Sequence, residues 1–127
     1  DNHIDLAATS DETQRRVRTA FTDPERTLLK TPGRPNMCNV YSLHKIFNPG
    51  DVPTVYQECT SATRGCVACK DHLSNGINQY LELFRERRAQ FEAQPDYVDK
   101  ILADGAVRAS TIAKQTIAEV THKMGLS

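Results

Sequence analysis

Residues 67–93, VACKDHLSNGINQYLELFRERRAQFEA, decide the fold class. Leu73, Ile77, Tyr80, Leu81 and Phe84 recur every three or four positions, which is the apolar stripe of an amphipathic helix. The opposite face is charged, with Glu82, Arg85, Glu86, Arg88 and Glu92. Like charges neighbour one another there, and pairing of Arg85 with Glu82 and Glu86 offsets the repulsion. Arg85, Arg87 and Arg88 therefore read first as intrahelical partners. Gly76 costs about 1 kcal/mol relative to alanine inside such a helix, so its presence implies close packing at that point.

Towards the N-terminus, Thr9-Ser10-Asp11-Glu12 fits a capping box. A helix should run from there to about Ala20 with Val17 and Ala20 inward, and Asp23-Pro24 lies beyond its end. Pro24, Pro32, Gly33 and Pro35 make 21–35 a loop. Asn36 is expected to cap a second helix with Met37, Val40, Tyr41, Leu43 and Phe47 on its apolar side, ended by Asn48-Pro49-Gly50. A third, short helix follows Pro53 through Val55 and Tyr56 and stops before Gly65. Towards the C-terminus, Pro95-Asp96 should start a fifth helix that buries Tyr97, Val98, Ile101 and Leu102 and is closed by Gly105. A last helix carries Val107, Ile112, Ala113, Ile117, Val120 and Met124 and stops at Gly125; Ile101, Ile112, Ile117 and Val120 read as an apolar seam of their own. No run alternates at strand length. The expectation is an all-α bundle of five to six helices, one domain over residues 1–127.

At 39% hydrophobic and 25% charged residues the composition is that of a globular chain. No apolar run approaches the length needed to cross a bilayer, and the start, Asp1-Asn2-His3-Ile4-Asp5, lacks a basic signal region. These features point to a reducing, cytoplasmic setting without a membrane partner, where cysteines read as metal ligands before disulfides. The net charge is zero, so there is no global nucleic-acid signal. Locally the balance differs: from Thr13 to Gly50, Arg15, Arg16, Arg18, Arg26, Lys30, Arg34 and Lys45 face only Asp23 and Glu25, a surplus of +5. Such a surplus is either a solvated face with a basic loop or a phosphate-contacting surface.

Cys38, Cys59, Cys66 and Cys69 are spaced C-x20-C-x6-C-x2-C. Cys66 and Cys69 project from one side of the first turn of the long helix, where the helix N-terminus is expected to lower their pKa and favour thiolate. Cys38 and Cys59 come from the two preceding helices. Independent thiols, structural zinc and a [4Fe-4S] cluster all compete. Zinc sites usually have two C-x2-C knuckles and this chain has one, while a [4Fe-4S] cluster takes four cysteines at uneven spacings. From the cysteines alone, zinc and iron–sulfur stand nearly equal. Either would clamp the helices together, with no open ligand position.

Several segments resemble bacterial tryptophanyl-tRNA synthetases. Leu83-Phe84-Arg85-Glu86-Arg87-Arg88-Ala89 resembles an IRERRA segment of that family. Tyr97-Val98-Asp99-Lys100-Ile101-Leu102 with Gly105-Ala106, and Ile112-Ala113-Lys114-Gln115-Thr116-Ile117 through Met124-Gly125-Leu126, are similar to its final helices. Thr22-Asp23-Pro24-Glu25 and Asn39-Val40-Tyr41-Ser42-Leu43-His44-Lys45-Ile46-Phe47 match its earlier segments. The resemblance covers nearly the whole chain.

That resemblance implies the C-terminal, anticodon-recognising helical domain. A subgroup of the family carries a [4Fe-4S] cluster there, and Cys38, Cys59, Cys66 and Cys69 stand at the corresponding places. The first gap is slightly shorter than in that subgroup, which puts the difference in the Asn48-Pro49-Gly50 turn, where loop length varies cheaply. The HIGH-like and KMSKS motifs of the catalytic half are absent from this sequence, and Asp1-Asn2-His3-Ile4 resembles the stretch directly after the family's KMSKS loop. The implied partners are the tRNA for tryptophan and an N-terminal catalytic domain that would hold ATP and Mg, in a homodimeric enzyme that acts on no DNA. The fragment alone should be inactive. Arg15, Arg16, Arg18, Arg26, Arg34 and Arg64 are the candidates for RNA backbone contact, and Tyr41, His44 and Lys45 for bases or riboses. His44, on the Cys38 helix, has a second reading as a group that packs near the cluster. A zinc-stabilised protein-interaction module and an electron-transfer protein are the rival classes; the second would need a further cofactor motif, and none is visible.

Overall fold

The computed structural model describes residues 3–126; the Asp1-Asn2 part of the polar start lies outside it. Its elements are α1 (Ser10–Arg18), α2 (Asn39–Phe47), α3 (Val52–Thr60), α4 (Cys66–Glu92) and α5 (Pro95–Lys123), with single 3-10 turns at Pro35–Met37 and Pro49–Asp51. Among the described residues there is no strand, and no helix is long and apolar enough to cross a membrane. The chain divides into two compact units, Asp1–Arg85 and Glu86–Ser127.

The first unit holds the core. α1 opens on the expected capping box: Glu12 N donates to Thr9 Oγ1, and Thr9 N donates to Glu12 Oε2 at 2.8 Å. Two orphan amides are thereby satisfied reciprocally. Val17, Val40, Leu73, Ile77 and Leu81 form one buried cluster drawn from α1, α2 and α4, with Ala20, Leu43 and Phe47 packed against it. The stripe of α4 is thus buried along Leu73, Ile77 and Leu81, whereas Tyr80 and Phe84 at its edge stay largely exposed, Tyr80 making an edge-on contact with Phe47. In the same way Met37 and Tyr56 are exposed while Val40 and Val55 are fully buried.

Gly76 is buried against the Asn48 amide; a Cβ built there would overlap that side chain, its Cγ standing only 2.6 Å away. The close packing inferred from the sequence is the observed one. Arg85 corrects another expectation. It does not pair with Glu82 or Glu86 but reaches across to α1, donating to Thr13 Oγ1 at 2.9 Å and to Ser10 Oγ at 3.3 Å, and along its own helix to Asn78 Oδ1 at 2.9 Å. Thr13 is fully buried, so its hydroxyl needs a partner, and a guanidinium is long enough to deliver one from the next helix.

The second unit consists of the tail of α4 and all of α5. Gly105 does not close a helix, because α5 runs unbroken from Pro95 to Lys123. One glycine costs about 1 kcal/mol, which a long run of helix formers outweighs. Thr111, Thr116 and Thr121 add hydroxyl bonds to the carbonyls four residues earlier, which is how they are accommodated within the helix. The stop is at Gly125, in the left-handed region at φ 68°; its N–H donates to His122 O and that of Leu126 to Thr121 O. This is a Schellman closure. Tyr97, Ile101 and Leu102, expected inward, are exposed, as are Ile112, Ile117 and Val120. Helical period places apolar residues on a face but does not supply the neighbour that would cover it.

Candidate metal centre

Cys66 and Cys69 occupy the first turn of α4, Cys59 lies near the end of α3, and Cys38 is the residue before α2 rather than part of it. Asn36 accordingly caps nothing: it sits in the 3-10 turn, and Cys38 takes the N-cap position without a side-chain bond. Pro35 favours that turn, because its fixed φ suits a helical start and it has no amide to satisfy.

All four cysteines are free and half-buried. Cys69 is pushed up to about 11, chiefly by burial, with the Arg64 charge opposing and the nearby Cys38, Cys59 and Cys66 adding to the rise. Burial also raises Cys59, against the Arg26 guanidinium, and Cys38 and Cys66 contribute again. The thiols therefore share one neighbourhood, but burial and mutual repulsion outweigh the helix N-terminus at Cys69, contrary to the lowering expected there. Among the described residues no three His, Cys, Asp or Glu side chains are gathered tightly enough to hold a single metal ion.

The surroundings of the sulfurs are closely built. Arg26 Nη1 donates to Cys59 Sγ at 3.5 Å, and Gly33 N donates to Cys59 O at 2.9 Å. A Cβ on Gly33 would lie 2.5 Å from Cys59 Sγ, so only glycine fits. His44 is fully buried, with Nε2 3.4 Å from Cys69 Sγ and 3.2 Å from Cys69 O. It packs at the cysteines as its second reading had it, and its burial removes it from the RNA candidates. Burial also lowers its pKa. Four soft donors with N–H groups turned toward two of them suit a four-thiolate group, which needs both negative charge and hydrogen bonds to offset it. Gly33, and Arg26 as a donor to a sulfur, escaped the sequence reading: Pro32-Gly33 signals a turn, and nothing in it signals proximity to a sulfur 26 residues on.

The arginine candidates separate into groups. Arg26 is tied down further by the carbonyls of Arg64, at 2.8 Å, and Leu29, at 3.3 Å. Arg34 bridges Asp23 at 2.6 Å and Glu25 at 2.7 Å, and its own N–H also reaches Asp23. Arg64 pairs with Glu58 and donates to His72 Nδ1 at 3.0 Å; His72 Nε2 then carries the hydrogen that faces Asp51 at 3.0 Å. Arg18 bridges Asp71 at 3.2 Å. Arg15 is exposed beside Glu12, and Arg16 is half-buried. Both line a hollow of about 540 Å³ between residues 3–8 and α1, but Asp5 and Glu12 line it too, so their charges offset the arginines. Tyr41 is buried against Tyr56, and the exposed Lys45 places Nζ 4.9 Å from the Tyr41 ring centre. Asp23 and Glu25, already counted in the local +5, both fall on Arg34, and Asp71 takes up Arg18, while Arg15, Lys30 and Lys45 remain in solvent.

Fold and site together define an all-helical chain whose first unit brings four thiols into one neighbourhood. Its relatives are tryptophan–tRNA ligases. The chain is 40% identical over 111 residues to that of Deinococcus radiodurans, covering 87% of this chain and 34% of the relative. It is 38% identical over 128 residues to that of Treponema pallidum, covering 99% and 38%. It therefore spans about a third of the length of the curated relatives it matches. No family model matches the chain. The fold is shared with the tryptophanyl-tRNA synthetase of Campylobacter jejuni, with a TM-score of 0.85 at 24% identity over 98% of this chain and 40% of that one.

Proposed function

We propose that this chain is the anticodon-recognising helical part of a cytoplasmic, homodimeric tryptophan–tRNA ligase, and that Cys38, Cys59, Cys66 and Cys69 hold a [4Fe-4S] cluster. The observation that carries the reading is sequence similarity to tryptophan–tRNA ligases running through almost the full chain. In the whole enzyme, tryptophan attacks the α-phosphate of ATP, and the resulting adenylate passes its aminoacyl group to the 3′ end of the tRNA. Both steps belong to the part of the relatives that this chain does not cover. Its own task is to bind and discriminate RNA. When bound, the cluster supplies iron–thiolate bonds that tie α3, the start of α4 and the residue before α2 into one rigid site. Gly33 and Arg26 hold the 21–35 loop against that site, and Asp23 and Arg34 close the loop on itself. A four-thiolate cluster is net negative, so phosphate attraction must come from basic side chains on the neighbouring surface. Lys45 over Tyr41, and Lys30 on the loop, are the exposed cations placed for it.

The test uses the full-length enzyme. Lys30→Glu with Lys45→Glu should raise KM for tRNA while tryptophan-dependent ATP–pyrophosphate exchange stays unchanged. The salt slope of tRNA binding should fall by about 0.7 to 1 for every phosphate that the altered side chains no longer reach. Equal loss of both half-reactions, or unchanged tRNA affinity, removes the anticodon surface from this face. Protein purified without air should contain iron and acid-labile sulfide; zinc with neither would replace the cluster reading with a zinc-stabilised module.

A further inference from the structure

Two side chains outside the cysteine set turn hydrogens toward its sulfurs. His44, on α2, lies with Nε2 3.2 Å from the carbonyl oxygen of Cys69 and 3.4 Å from its Sγ. A carbonyl only accepts, so Nε2 carries the hydrogen. The same N–H stands within reach of the sulfur. Arg26 comes from the 21–35 loop and places Nη1 3.5 Å from Cys59 Sγ. Both donors are held in place. His44 has no solvent exposure, and its ring lies against that of His72, centroids 5.2 Å apart. The other terminal nitrogen of Arg26 is fixed on Arg64 O at 2.8 Å. Gly33 leaves the room this requires: a Cβ there would stand 3.2 Å from Arg26 Cδ as well as against Cys59 Sγ.

We infer that His44 and Arg26 are positioning residues that donate N–H···S hydrogen bonds to Cys69 and Cys59 and so set the electron density of the four-thiolate centre, an inference that rests on the cluster reading above. A hydrogen bond to a thiolate sulfur withdraws charge from it. The more electron-rich, reduced state of the centre gains more from that withdrawal than the oxidised state, so each such bond raises the reduction potential. Arg26 brings a full positive charge in addition to its hydrogen and should have the larger effect. If His44 served only to satisfy a buried carbonyl, and Arg26 only to clasp a loop, their removal would loosen the fold but leave the potential of an intact cluster where it was.

The experiment compares cluster-loaded full chains under anaerobic conditions: wild type, His44→Leu, His44→Gln, Arg26→Met and Arg26→Lys. Iron and sulfide content, the midpoint potential and the Fe–S(Cys) stretching frequencies are read for each. His44→Leu and Arg26→Met should move the potential to more negative values and raise the stretching frequencies, because a sulfur freed of its hydrogen bond binds iron more strongly. His44→Gln and Arg26→Lys retain a donor and should restore part of the wild-type values. Should His44→Leu fail to hold a cluster, Arg26→Met decides alone. A fully loaded Arg26→Met with wild-type potential and frequencies overturns the inference. A wild-type chain that takes up no iron and sulfide overturns the cluster reading itself, and this inference with it.

Discussion

Replacing Gly76 by alanine sets two effects of opposite sign against each other. Gly76 is inside α4, and alanine there gains about 1 kcal/mol in helix propensity. The new methyl would also overlap the Asn48 side chain, whose Oδ1, Nδ2 and Cγ all crowd the site. The amide belongs to a short side chain, so it can swing, but its Oδ1 is buried and it stands beside the buried His44 ring. Overpacking of this kind costs about 1–3 kcal/mol, and the depth of the overlap places it in the upper part of that range. The net expectation for Gly76→Ala is therefore a loss of roughly 1–2 kcal/mol. In an Asn48→Ala background the obstacle is gone, and the same substitution should stabilise the chain by up to about 1 kcal/mol. The coupling between the two sites then comes to about 2–3 kcal/mol, within the span found for residues in direct contact. Equilibrium urea denaturation of the four proteins in one metal state, followed by far-ultraviolet circular dichroism with the m-values compared, measures it. Stabilisation by Gly76→Ala in the wild-type background, or equal effects in both backgrounds, would refute the packing argument.

Asp23 is held at about 2, down from its ordinary 3.8, chiefly by its hydrogen bonds with the Arg34 side chain. Its folded pKa lies below its unfolded one, so the unfolded chain binds more protons in that interval and stability falls as pH drops from about 4 towards 2. Urea midpoints taken across this window should fall steeply for the wild-type chain and more gently for Asp23→Asn; identical slopes would show that the carboxylate contributes nothing. Cys59→Ser in the cluster-loaded chain should speed amide exchange from Cys38 to Cys69, and at the Gly33 amide that donates to Cys59 O, far more than in α5. Uniform loss of protection along the chain would contradict a locally acting clamp.

What could be read directly from the sequence was local. The Thr9–Glu12 box, the Leu73–Ile77–Leu81 stripe, the tight contact at Gly76 and the stop at Gly125 each rest on signals within one or two turns, and all four are where the residues put them. Gly105 misled because a glycine marks a helix end only when its backbone turns left-handed, and residue type alone does not reveal φ. The cysteines were found by spacing, and His44 beside them by its place on the helix that follows Cys38, whereas Arg26 and Gly33 were not: a lone arginine or glycine carries no mark of the sulfur it will meet after folding. Charge misled in the same manner. Counting charges found a basic segment but not which of its arginines are tied down: Arg18 is held by Asp71, 53 residues away, and Arg26 by Cys59 Sγ and the Arg64 carbonyl, partners that cannot be paired by inspection.

The clasp made by Arg85 bears on how likeness between sequences is used. Residues 83–89 are a segment read in the sequence as a family resemblance, and Arg85 is the member of that segment bonded to Ser10, Thr13 and Asn78. Remove the guanidinium and a fully buried hydroxyl on α1 loses its donor, so the helix junction itself demands arginine at that position. A signature there advertises a joint between two helices. The cations proposed above for tRNA contact, Lys30 and Lys45, lie outside that stretch, and both are exposed, so exchanging them leaves the Arg85 joint undisturbed.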